Sequence, residues 1–503
     1  MKNQASSREY DVIVVGSGAG GAATAYRLVQ AGLRVLLIEK GERLPKNEAT
    51  LDVQAVIHEG TFKSKERWRD GAGRALVPEE YFNLGGKTKW YGAALAQFRP
   101  AEFLVDAEGQ YLGWPCGFDE MRPYYEQADI LLGIREFGIE PALALLLERL
   151  ARRAPSWHAT PLRLGLKRQI VDVPREAAHF DGFASPTGLK SEAESALLDR
   201  IAHAPNLSIV TGHAVTALVG DVAHPKTIKG VRIDDGRVYV ARETVLAAGA
   251  LHSPRLLGRY LELMALERMP IAAVIGRYLK LHHLTAVLAI SPSRKADLLR
   301  KTTLLLHDEL PHSSVQPLGF DGELIATLIP RFVPRPLAAA IGARAYGFFL
   351  QTEDGSSLDN RVIGETATGR PPVLDYDPAR VPFSRDEHRR LVRTFCRDLR
   401  RAGYVALSQA IGLHGTAHAC GTLRAGADPH DSVVDAAGRV HGFEGLSVAD
   451  GSVLPRSSRV NPALTIYAWG LRVADAITRR VSRELAIHST ASSVDIAAPE
   501  VAG

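Results

Sequence analysis

Apolar and polar positions are most regularly ordered near the start of the chain. A mainly polar leader gives way to the compact apolar run Tyr10–Val15, which ends in a glycine turn; Ala22–Ala31 continues in good helix formers, and Leu33–Ile38 is a second, branched apolar run. Strand, helix and strand within about thirty residues have the length of a βαβ unit, so the pattern predicts a parallel, doubly wound sheet. Helical patterning returns in Phe118–Leu132, entered after Gly117, and in Pro141–Arg153, which stops before Pro155. Short strand-like runs follow at Leu207–Val210, Ala214–Val219, Gly230–Ile233, Val238–Val240 and Thr244–Ala247, divided by turn residues such as Asp234-Asp235-Gly236. They predict a β-rich insertion that returns to the sheet. The clearest late helix is Ser384–Ala402, with Ser384 and Glu387 at capping-box spacing and Gly403 beyond its end. Gly60–Pro100 has little periodicity around a glycine-rich centre, Pro155–Pro186 predicts no element, and 486–503 is expected to be a disordered tail.

Composition narrows the function classes. At 503 residues and 46% apolar content the chain can bury a large core in several domains. Its 61 basic and 56 acidic residues are mixed, without the basic runs that a nucleic-acid partner requires. The cysteines, Cys116, Cys396 and Cys420, are odd in number and far apart, which excludes a disulfide framework or zinc knuckle and points to a reducing compartment. The first apolar run is too short for a signal sequence, and no stretch approaches the roughly 18 apolar residues of a membrane span. A soluble, cytoplasmic protein is expected.

Gly16-Ser17-Gly18-Ala19-Gly20-Gly21 satisfies GxGxxG directly between the first strand and helix, where the motif is informative. Gly16 would allow the tight turn, Gly18 the approach of a pyrophosphate, and Gly21 close packing of helix on strand. Free N–H groups at the helix start, through Ala19 and Gly20, would face the phosphates. Glu39, followed by Lys40 at the end of the second strand, is placed to accept from a ribose. The same fingerprint serves NAD and FAD. It occurs once, so the bound nucleotide must itself be the redox cofactor.

Four further segments, together with this fingerprint, resemble the glucose–methanol–choline family of FAD-dependent oxidoreductases. Leu84-Gly85-Gly86-Lys87-Thr88-Lys89-Trp90-Tyr91-Gly92 is similar to the family's loop along the flavin. Val215 is similar to the position whose backbone meets adenine, and Val245-Leu246-Ala247-Ala248-Gly249-Ala250 with Ser253-Pro254 resembles the strand and small-residue turn returning to the FAD domain. His418-Ala419-Cys420-Gly421-Thr422 matches the family's His-x-x-Gly-Thr, followed by Asp435, Gly438, Arg439, Val440 and His441. Val448-Ala449-Asp450-Gly451-Ser452 and Asn461-Pro462-Ala463-Leu464-Thr465 complete the series. Ala425 departs from the family's usual methionine, and Phe183–Ser191 resembles the carbohydrate-acting bacterial branch only loosely.

The resemblance implies an α/β fold (α+β overall): a Rossmann-like FAD-binding domain from 8–110, 190–262 and 415–485, and a substrate domain of sheet and helices from 111–189 and 263–414. It implies that His418 takes the hydroxyl proton of an alcohol while hydride passes to flavin, since a neutral imidazole is available near pH 7. Asn461 would donate to the developing alkoxide, and Asp450 would lie near the flavin ribityl or pyrophosphate. The cofactor-contacting set then comprises Gly16, Gly18, Ala19, Gly20, Gly21, Glu39, Lys40, Gly85, Gly86, Trp90, Tyr91, Gly92, Val215, Ala248, Gly249, Asp450, Gly451, Asn461, Pro462 and Thr465. Lys87 to Phe98 contains no histidine, so FAD is expected to be non-covalent. His282, His283 and His414 have no carboxylate or cysteine at ligand spacing and are assigned surface or packing roles, with no metal site. The implied substrate is a sugar, glycoside, aminosugar or polyol; an aminoglycoside 6′-oxidase, a steroid or aliphatic alcohol oxidase, and a non-oxidising flavin protein or lyase are the alternatives. Oxygen, a quinone or a protein could each be the electron acceptor.

Overall fold

The computed structural model describes residues 10–106, 109–330, 332–365 and 369–494. Val12–Val15, Val35–Ile38, Leu207–Val210, Glu243–Leu246 and Leu446–Val448 form a five-stranded sheet, every pairing parallel. Its order runs from Leu446–Val448 through Glu243–Leu246, Val12–Val15 and Val35–Ile38 to Leu207–Val210. Burial on both faces explains why the first two strands are continuous Val/Ile/Leu runs rather than alternating ones. One face is covered by the helix Ala19–Gln30 and the last helix, Ala463–Val494, which cross where Gly20 meets Gly470 and Thr24 Oγ1 donates to Gly470 O at 3.1 Å. Phe118–Leu132 packs on the same last helix, and the predicted boundaries of that helix and of Pro141–Arg153 are met.

A second, antiparallel sheet has the order Val405–Ala410, His283–Ile290, Ala345–Thr352, Ser313–Pro317, Thr303–His307 and Trp157–Pro161. The helix Pro382–Arg401 lies behind it, burying Leu391, Phe395 and Leu399 against Tyr346, Phe348 and Leu350. Trp157–Pro161 lies in the stretch where sequence predicted no element. Short strands also appear inside Gly60–Pro100: Trp68–Asp70 and Ala75–Leu76 join Arg361–Ile363 and Val373–Asp375 in a four-stranded sheet. The expected β-rich insertion is the three-stranded sheet Val215–Gly220, Ile228–Ile233 and Val238–Val240.

Two local expectations are corrected. The helix expected from Ser384 starts at Pro382, and Ser384 is no cap: its buried hydroxyl donates to Val381 O at 3.1 Å and pairs with His283 Nε2 at 2.9 Å. Glu387 accepts instead from His312 N and Ser313 Oγ, at 3.0 and 2.7 Å, so both residues tie the helix to the sheet. The last helix continues to Val494, so the expected tail begins inside a helix; 495–503 lie outside the described residues.

Candidate active site

The carboxyl ends of the parallel strands deliver Gly16, Glu39, Ala247 and Ala449 to one edge, where ligands of such sheets bind. Gly16 has φ of +100°, and a Cβ there would lie 2.3 Å from Ala247 O; a Cβ on Gly21 would lie 2.0 Å from Gly16 O. Turn and helix packing therefore both require glycine. Gly18 differs: a Cβ there would meet nothing within 4 Å, because the residue borders open space. That space is a cavity of about 680 Å³, lined by Gly16, Gly18, Ala19, Gly20, Glu39, Lys40, Gly86, Trp90, Tyr91, Gly92, Val215, Ala248, Gly249, Asp450, Gly451, His418, Asn461 and Pro462.

Gly21, Gly85 and Thr465 are the sequence-selected residues that do not line it. Gly85 N donates to Ser17 Oγ at 2.9 Å, and Gly86 lies against Gly18, so the two glycine loops brace each other. The Thr465 hydroxyl is engaged with Tyr125 Oη at 2.8 Å, in the contact between the last helix and Phe118–Leu132. Glu39 is buried and accepts from Ser17 N at 2.9 Å, Ser17 Oγ at 2.6 Å and Gly41 N at 3.1 Å; burial pushes its carboxyl up. Asp450 accepts from Gly249 N at 2.8 Å and Ser253 Oγ at 2.5 Å through one oxygen, and from Ser452 N at 2.8 Å and Ser452 Oγ through the other. It clamps the turn after one strand to the turn after another, with burial again raising its carboxyl.

The residues fit an extended dinucleotide. Phosphates would meet the glycine turn and helix N-terminus at Gly18 and Ala19 and a ribose would meet Glu39, and the same cavity is lined by His418 and Asn461. Asn461 Nδ2 donates to His418 Nε2 at 3.2 Å. Gln316, on the second sheet, donates from Nε2 to Asn461 Oδ1 at 2.6 Å and so fixes which way the amide faces. Lys301 pairs with Asp181 at 2.8 Å, and Lys87 pairs with Glu80; all four residues line the cavity. Burial, then the His282 ring and the cations of Lys301 and Lys87, hold His418 well below the usual imidazole value, leaving it neutral at pH 7.

Sequence reasoning gave His282 a surface or packing role and did not connect it with His418. The ring is buried with Nδ1 3.1 Å from His418 Nδ1. His283 is buried against Ser384, in keeping with packing, and His414 is exposed. Gln316 and His282 carry no local motif; each reaches the site by tertiary folding from 145 and 136 residues away.

A cavity lined by the glycine fingerprint, a neutral histidine and an amide has the groups a nucleotide-dependent oxidoreductase would use. Residues 11–305 match the family model for FAD dependent oxidoreductase, and 368–470 that for GMC oxidoreductase. The chain is 30% identical to 6'''-hydroxyparomomycin C oxidase of Streptomyces lividus, over 96% of this chain and 94% of the relative. It is also 30% identical to paromamine 6'-oxidase of Streptomyces fradiae, over 93% and 91%. In three dimensions it resembles pyridoxine 4-oxidase from Mesorbium loti, with a TM-score of 0.67, 21% identity and coverage of 93% and 99%. The chain belongs to the glucose–methanol–choline family, and it is an FAD-dependent enzyme oxidising alcohol groups. Among the described residues no helix is long and apolar enough to cross a membrane.

Proposed function

We propose that this enzyme oxidises a hydroxyl of an aminosugar-containing glycoside, with His418 as base and Asn461 as alkoxide donor. The observation that carries the reading is the His418–Asn461 pair, oriented by Gln316, on the wall of a cavity continuous with the dinucleotide fingerprint. His418 Nε2 accepts the hydroxyl proton, and the Asn461 amide turns its N–H to the oxygen that becomes negative. Bound flavin supplies the acceptor for the hydride leaving the same carbon. The walls near His418 offer polar partners to a polyhydroxylated amine. They carry the Lys301–Asp181 and Lys87–Glu80 pairs, and the cavity is further lined by the aromatic rings of Tyr81, Trp90, Phe320 and Phe349. Two relatives at 30% identity, named for paromomycin-type and paromamine oxidation, support that choice.

The same reading assigns 8–110, 190–262 and 415–485 to FAD and 111–189 and 263–414 to substrate. Pairing of Trp157–Pro161 with Thr303–His307 supports it, whereas Phe118–Leu132 packs with the FAD-side last helix. It also takes FAD to be non-covalent, since Lys87 to Phe98 has no histidine; acid precipitation should then release a yellow supernatant. The substrate test is an anaerobic stopped-flow screen of aminoglycosides, neutral sugars and long-chain alcohols, read at the flavin band near about 450 nm. Bleaching by aminoglycosides is expected. Bleaching by long-chain alcohols alone would reject the substrate class, and bleaching by no alcohol would reject the assigned roles.

A further inference from the structure

We infer that His282 is a positioning residue which locks His418 in the tautomer a base requires, an inference resting on the reading of His418 as base. The argument starts from the far side of the pair. His282 Nε2 lies 2.7 Å from the carbonyl oxygen of Ser458, which can only accept, so Nε2 carries the hydrogen. A neutral His282 then has a bare Nδ1. That nitrogen lies 3.1 Å from His418 Nδ1, which must therefore carry the hydrogen between them. His418 is left with a lone pair on Nε2, on the cavity side.

The opposite end of the chain of bonds is satisfied by the same assignment. Asn461 Nδ2 can only donate, and His418 Nε2 accepts from it at 3.2 Å, a bond released when the amide turns to substrate, so holding the tautomer falls to His282. Ser458 and Asn461 belong to one loop, which thus grips the His418 ring from both nitrogens, directly at Nε2 and through His282 at Nδ1. That loop is itself held: Ser458 Oγ donates to Glu102 at 2.9 Å, and Ser458 N and Arg456 donate to Glu353 at 3.2 and 2.7 Å.

Both intermediaries adopt backbone conformations that side-chain-bearing residues rarely take, His282 at φ +69° and Ser458 at φ +66°. Such outliers persist where surrounding structure over-determines them, and here they bring a carbonyl and an imidazole into line behind His418. The two ring planes are inclined at 78° with centroids 4.9 Å apart, close enough for the bond between the two Nδ1 atoms.

The test uses the flavin-loaded enzyme labelled with ¹⁵N-histidine, with His418 signals assigned by their loss in His418→Asn. In the wild type, His418 should carry its proton on Nδ1 and show a through-hydrogen-bond nitrogen–nitrogen coupling to His282. His282→Asn tolerates the left-handed backbone and places an amide oxygen where Nδ1 was. It should abolish the coupling, keep the tautomer and hold flavin reduction within about tenfold of wild type. His282→Leu removes the acceptor; at unchanged flavin content it should lose the single tautomer and slow reduction by about 10²-fold. A wild-type His418 protonated on Nε2, or a tautomer unchanged in His282→Leu, would overturn the inference. If no alcohol reduces the flavin, the spectra still decide it, and that failure falls on the functional reading alone.

Discussion

In the proposed role of base His418 has to be neutral to accept a proton, and its surroundings arrange this by taking the ring out of water and facing it with cations. Replacing it by alanine removes the acceptor without touching the fingerprint, so His418→Ala should retain flavin and slow anaerobic flavin reduction by about 10²-fold or more. Reduction at the wild-type rate would remove His418 from the mechanism. The depressed pKa also fixes the pH profile. The base is active when unprotonated, so the reduction rate rises with pH through that pKa and is level above it. Since the pKa lies well below 6.5, the plateau should extend from alkaline pH to below 6.5 before an acid limb appears. Stopped-flow traces across that range check it; a midpoint at or above 6.5 would mean the imidazole is not buried as described.

At the scale of elements, the fingerprint and the second sheet do different work. Gly18 borders open space at the helix N-terminus where a phosphate would reach the backbone, so Gly18→Val should yield colourless protein; full flavin content would contradict the placement. The wall across the cavity depends on Lys190, which is fully buried. Its Nζ donates to the carbonyls of Tyr91 at 2.9 Å, Phe180 at 2.8 Å and Phe183, pinning the glycine loop that ends at Gly92 to the segment that leads into Ser191. Lys190→Met fills similar volume but orphans three buried acceptors, so it should destabilise by about 3 kcal/mol, seen as a lower denaturation midpoint. A midpoint unchanged from wild type would show that the carbonyls find other donors. The sequence reached these elements unevenly, for a physical reason. Gly16 to Gly21, Glu39 and His418 to Thr422 act through local backbone geometry and short spacing, which a linear pattern displays. His282, Gln316 and Lys190 act through partners brought together by sheet pairing and loop packing, and a lone polar residue in a strand or loop carries no sign of what it will face. Ser384 and Glu387 show the converse, a correct local spacing overridden because tertiary partners claimed both side chains.

Across the whole molecule, buried imidazoles accumulate behind the active site, and they set its response to acid. His282, His283 and His418 are joined by His388 on the helix Pro382–Arg401, whose ring bridges Thr285 Oγ1 at 2.8 Å and Thr352 Oγ1 at 3.0 Å. Burial, with His283 and His282 nearby, pushes His388 down to about 3. His252, on the cavity wall, is also held low, mainly by burial. Each group is neutral when folded and takes up a proton on unfolding at any pH between its folded value and 6.5, so the unfolded chain binds more protons there. Stability therefore is complete above 6.5 and declines as pH falls through that window, by up to about 1.4 kcal/mol per pH unit for each such group. Melting curves of the flavin-loaded enzyme from pH 7.5 to 5 should show Tm level at first and then falling below 6.5. His388→Gln keeps an amide between the two threonine hydroxyls but cannot titrate, so its Tm should fall less steeply over the same range. Parallel curves for the two proteins would mean that His388 is protonated in the folded state and that the acid response lies in the remaining histidines.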